Sequence, residues 1–138
     1  MAVQLSVAVR NAMLDVIETT VGASAKLRFY SGAPPANCAA ARTGTLLCEI
    51  AAPADWQSAA SNGAKLLAGT WTGTGLAAAG AGTAAGHYAL MDSAGTTCHE
   101  QGTITTTGSG GDLTLDNVSI ANGQAVSVTA FSKTAPNA

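Results

Sequence analysis

The sequence predicts a mainly β domain, a jelly-roll-like β-sandwich preceded by one short N-terminal amphipathic helix. Three observations carry that reading: a helical apolar period confined to residues 6–20, short alternating apolar runs beyond it, and turns rich in Gly, Pro, Asn and Asp between the runs. Several short strands with a single early helix fit stacked sheet layers better than the regular alternation of strand and helix in an α/β fold. A chain of 138 residues, 47% of them apolar, fits one domain spanning 1–138 with a core of its own.

In the helix, Val9, Met13, Val16 and Ile17 recur at helical spacing with Ala12 beside them, while Arg10, Asp15 and Glu18 lie off the stripe. Gly22 supplies the C-terminal cap. A terminal helix in a compact domain is expected to lay such a stripe on its own sheet; in an assembling protein the stripe can instead dock on a neighbour.

The period then changes to two. Residues 25–31 (AKLRFYS) alternate around Leu27 and Phe29 and stop at GAPP, where prolines forbid continued pairing. Residues 45–51 (TLLCEIA) form a second strand, ended by Pro53, and residues 64–72 (AKLLAGTWT) a third, entered from the turn-forming SNG. Residues 73–86 carry no charge and no bulky side chain except Leu76, and are expected as a loop, the alternative being a flat strand that another backbone approaches closely. HYALM and TTCHEQGTITTT form a hairpin around DSAG, and GSGGD turns the chain into LTLDNVSIA. Asn122-Gly123 reads as a two-residue hairpin leading into QAVSVTAF.

Composition narrows the function. Only 10% of residues are charged, against about 25% in average proteins. A surface covered by small neutral side chains costs little entropy to immobilise and suits contact with other protein copies. The formal charge of -2, with six Lys plus Arg, offers no basic face for nucleic acid or anionic membrane. No apolar run approaches the ~20 residues of a membrane span. The opening MAVQLSVAVRNAMLD has no cationic segment before its apolar residues, which are interrupted by Arg10 and Asn11, and it reads as the start of a cytoplasmic product.

The stretch HYALMDSAGTTCHE, residues 87–100, is the one place where metal-ligating or nucleophilic residues gather. With a two-residue turn, His87 faces Glu100, Ala89 faces Cys98, and His99 falls on the opposite face. That gives at most three ligands, short of the four of a structural zinc site and without the organised surroundings of a catalytic one. We read it as a structural hairpin, His87 and Glu100 forming a cross-strand pair with Cys98 between them. A Cys98 nucleophile would need an electropositive niche, and Glu100 supplies the opposite charge. Asp112 and Asp116 read as turn residues. The motifs of hydrolases, P-loop proteins, zinc proteases and dinucleotide enzymes are missing, so no catalytic residue, cofactor or metal is assigned. Cys38, Cys48 and Cys98 read as free thiols, although spacing alone leaves a Cys38–Cys48 bridge open. Trp56 and Trp71 read as core residues first and binding anchors second.

Across nearly the whole chain, RNAMLDVIETTVGASAKLRFYSGAPPANCAAA, GHYALMDSAGTTCHEQGT and LDNVSIANGQAVSVTAFSKT resemble segments of the head decoration, or cementing, proteins of tailed bacteriophages. The resemblance implies a jelly roll bound in many copies to the outer surface of an HK97-fold shell, with the major capsid protein as partner and a homodimer on the capsid. Direct nucleic-acid or membrane contact is not implied, and such a virion protein is made in the host cytoplasm. Arg10, Trp56, Trp71 and Leu76 are then the candidate contacts to capsid or self. The rival expectation is a phage tail or fibre-tip module that binds a host receptor or glycan.

Overall fold

A computed structural model describes residues 2–138. Ser6 starts α1 (Val7–Val21) by accepting the Val9 amide proton, and Gly22 ends it at φ 89°. There follow β1 (Lys26–Ser31), β2 (Leu46–Ala51), β3 (Ala64–Lys65), β4 (Trp71–Gly75), β5 (Thr83–Met91), β6 (Cys98–Thr106), β7 (Leu113–Leu115), β8 (Ser119–Ile120), β9 (Ala125–Val128) and β10 (Lys133–Thr134).

The main sheet runs β7-β6-β5-β1-β2-β4-β9, antiparallel throughout except for the parallel β6–β7 pair. β8 adds to the start of β5, and β3 pairs with β10 as a separate ribbon. The sheet curls until its two ends share one core: Leu113 and Leu115 from β7 meet the same cluster as Val126 and Val128 from β9, around Leu27, Phe29, Leu47 and Ile50. The fold is therefore mainly β, a near-closed sheet of sandwich or barrel-like shape with one helix.

Alternation explains β1, where Leu27 and Phe29 are fully buried while Arg28 turns outward to meet Glu49 on β2 at 2.7 Å. A chain of rings fills the centre. Tyr88 meets Phe131 edge-on at 5.7 Å, Phe131 meets Trp71 at 5.3 Å, and Trp71 meets Trp56 at 5.9 Å. Each indole N–H finds a carbonyl, Trp56 on Gly22 and Trp71 on Ala68, so these large side chains bury no unpaired donor.

Three expectations are corrected. Residues 64–72 do not form one strand: Gly69, at φ 70° against Pro53, breaks the run between β3 and β4. Residues 73–86 are not simply a loop, because β4 runs through Gly75, a 3₁₀ turn covers Ala77–Ala79, and β5 begins at Thr83. Gly75 and Gly86 sit where a methyl group would overlap the Ala121 and Gly32 carbonyl oxygens, so the close backbone approach is real at both ends. Asn122-Gly123 does not make a hairpin, since the strands flanking it pair elsewhere, β8 with β5 and β9 with β4. The Asn-Gly that does is Asn62-Gly63, with φ 51° and 73° and reciprocal bonds between Ser61 and Ala64.

Trp71→Ala is expected to lower stability by about 3–5 kcal/mol by emptying the middle of the ring chain. Leu66→Ser, on an exposed side chain, is expected to change it by less than about 0.5 kcal/mol. Urea denaturation followed by far-ultraviolet circular dichroism measures both.

Candidate functional site

The hairpin that drew attention in the sequence disperses its polar residues. Its connection is longer than two residues: the Asp92 N–H donates to the Thr97 carbonyl, and the Asp92 carboxylate accepts from the Thr96 and Thr97 amides. A bulge after Leu90 then shifts the register, so that His87 faces Thr103, Leu90 faces Glu100 and Met91 faces Cys98. His87 and Glu100 consequently lie on opposite faces and do not pair. His87 is fully buried, stacked on Tyr30 with ring centroids 5.2 Å apart, its Nδ1 at 2.9 Å from the Gly32 carbonyl. Glu100 instead accepts from the Tyr88 hydroxyl at 2.6 Å and pairs with Lys133. No group of residues fit to hold a metal ion is assembled among the described residues.

The four residues singled out as candidate contacts separate in the same way. Trp56 and Trp71 are core side chains, unavailable to a partner while the protein is folded. Arg10 is also buried, its Nη2 donating to the Ala135 carbonyl at 3.1 Å, which ties α1 to the C-terminal segment. Leu76, 38% exposed before the 3₁₀ turn, alone reaches the surface. Cys48 lies in the core and makes no bridge with Cys38.

The helix has the reverse orientation to the one its apolar stripe suggests. Val9, Met13 and Val16 face outward at 46%, 43% and 58% exposure, while Leu14 and Val21 are buried and Ile17 packs partly against the core. What turns the helix is a polar clamp that the sequence reading missed. Asn11 Oδ1 accepts the Gly63 amide at 2.8 Å, Asp15 Oδ1 the Ala60 amide at 3.0 Å, and Glu18 Oε1 the amides of Trp56 and Gln57 at 3.0 and 3.1 Å. Lys65 of β3, with a side chain only 3% exposed, joins both carboxylates, at 2.7 Å to Asp15 and 3.0 Å to Glu18. The signal was there in part, since Asn11, Asp15 and Glu18 share the i, i+4, i+7 spacing of the apolar stripe.

The charges settle accordingly. The Lys65 hydrogen bond and the Ala60 amide hold the Asp15 carboxyl below its usual range. Burial works against the charged form of Glu18, but Lys65 and the Gln57 and Trp56 amides outweigh it and leave that carboxyl lowered too. Burial likewise opposes the Lys65 ammonium, and the two carboxylates more than compensate.

A second surface feature lies where the sheet fails to close. The ends formed by β7 and β9 leave a cleft of about 400 Å³, lined by Thr114, Asp116, Val126 and Ser127 among others. Strand edges of this kind are the usual place for added pairing. Comparisons with protein-family models, with curated proteins and with solved structures find no match to this chain.

Because Asp15 and Glu18 ionise more readily folded than unfolded, they contribute stability that is complete above about pH 5. It is lost as pH falls through the ordinary values of 4.5 and 3.8 and below. Glu18→Gln, which keeps an amide acceptor but not the charge, is expected to flatten this acid limb in Tm measured from pH 7 to 2. Lys65→Met leaves two carboxylates facing each other and is expected to lower Tm at pH 7, by less than the loss of a fully buried partner because Asp15 is half exposed.

Proposed function

We propose that this chain is a structural virion protein that binds the outer surface of an HK97-fold bacteriophage capsid and stabilises contacts between neighbouring capsomers, with the major capsid protein as partner and a pair of copies as the bound unit. The observation that carries the reading is the outward apolar face of α1, mounted on a polar clamp that keeps it from turning inward. Charge-poor composition and the sequence resemblance to decoration proteins support the same conclusion. Val9, Met13 and Val16, with Leu76 as a second point, are the proposed contacts.

The mechanism is mechanical. A domain that bridges neighbouring capsomers makes their separation break several interfaces at once, and each contact after the first forms at high effective concentration. About 800 Å² on each partner suffices for a specific contact, so one helix face with its surroundings is of the right order. Rigidity matters because a helix already fixed in its binding orientation loses little further entropy on docking.

Mixing the purified protein with capsids that lack it, followed by sedimentation, tests the proposal. Saturable co-sedimentation supports it, and folded protein that stays in the supernatant at all concentrations refutes it. The double variant Met13→Glu, Val16→Glu is expected to keep its Tm within a few degrees and to bind at least tenfold more weakly, since burying each apolar side chain is worth about 1.5–3 kcal/mol. Undiminished binding by this variant would remove the helix face from the interface.

A further inference from the structure

We propose that Cys38 and Cys98 form an oxidant-sensitive dithiol site, which closes to an intramolecular disulfide and fastens the loop after β1 to β6. The proposal rests on this loop's own contacts and is independent of the capsid reading.

Residues 32–45 leave β1, fold over the outer face of β5 and β6, and return to β2. Two contacts at separate points hold the loop to that face. The Gly32 carbonyl meets His87 Nδ1 at 2.9 Å, and the Pro35 carbonyl accepts from Gln101 Nε2 at 2.7 Å. His87 and Gln101 project on the same side of the sheet as Ala89 and Met91, the side on which Cys98 packs against the small cluster of Tyr30, Ala89 and Met91. Cys38 follows Pro35 by three residues, on the face where Cys98 packs, and lies close enough to act on the ionisation of the Cys98 thiol.

The loop is ordered around Arg42, whose Nη2 donates to the carbonyls of Asn37, Cys38 and Ala40 at 3.1, 3.3 and 3.2 Å. The Ala40 amide closes back on Asn37 Oδ1 at 3.0 Å. The backbone carrying Cys38 is thereby held on both sides of the residue. Both thiols are partly exposed, whereas Cys48 is sealed in the core.

Burial and the neighbouring Cys38 push the Cys98 thiol up to about 11, against the opposing pull of Arg42. The Cys98 S–H is engaged with the Glu100 carbonyl at 3.2 Å, and closure starts from oxidation of its partner. With a peroxide, Cys38 gives up two electrons to become a sulfenic acid as one water leaves. The Cys98 sulfur then attacks it, the S–S bond forms, and the hydroxyl departs with the Cys98 proton as a second water. In a reducing cytosol the pair stays open, and outside it the pair closes.

The test treats the folded full-length chain with hydrogen peroxide or diamide, alkylates what remains, and maps linkages by mass spectrometry of a non-reducing digest. The expected result is a monomer lighter by about 2 Da, with a Cys38–Cys98 linked peptide and Cys48 still a thiol. Its Tm should be raised by roughly 5–10 °C, reversibly by dithiothreitol, for a closed loop of about 60 residues. Cys38→Ser should abolish both the link and the shift. The proposal is overturned if Cys38 and Cys98 both remain alkylatable in the folded, oxidant-treated protein, if the link joins two chains, or if it involves Cys48.

Discussion

The position of the helix depends on where Lys65 puts its charge. An ammonium removed from water is unfavourable unless carboxylates meet it, and both carboxylates within reach, those of Asp15 and Glu18, come from α1. Seating Lys65 on the short β3 ribbon therefore fixes which side of the helix faces inward. The ribbon is itself held, by the Asn62-Gly63 turn on one side and by pairing with β10 on the other. Asn11 extends the clamp towards the N-terminus through the Gly63 amide, and Arg10 adds the Ala135 carbonyl.

Hydrophobic burial is thereby left to the sheet and the helix becomes a platform. The curled sheet satisfies its own core, with β7 and β9 contributing from opposite ends and four rings in contact at the centre. Leu14 and Val21 supply the helix's share. Val9, Met13 and Val16 are surplus to folding, and that surplus is what an interface can use.

The mainly β class, the single helix with its C-terminal cap, and β1 and β2 were legible because period, Gly22 and the GAPP stop act locally. The orientation of α1 was not, because residues 9, 13, 16 and residues 11, 15, 18 repeat with the same spacing, and periodicity cannot say which stripe faces inward. That choice is made by Lys65, dozens of residues away. The two Asn-Gly pairs read alike for a similar reason, and only strand pairing distinguishes Asn62-Gly63 from Asn122-Gly123. In the hairpin of His87 and Glu100 a bulge and a longer turn shifted the register, and a one-residue slip exchanges the faces. Of the four candidate contacts only Leu76 is exposed; both tryptophans occupy the core places read for them first, and Arg10 is drawn inward by the Ala135 carbonyl, a partner available only in the folded chain.

The outward orientation of α1 is most directly tested by the rates at which hydrogen peroxide oxidises two methionines in the folded protein. Met13 is 43% exposed on the helix and Met91 only 4% exposed on β5, so one reaction carries its own control. With the stripe facing outward, Met13 is oxidised at a rate close to that of the unfolded chain while Met91 is strongly protected. If a monomeric, folded sample protects Met13 as well as Met91, the apolar stripe faces the sheet, and the clamp built on Lys65 does not hold the helix as described.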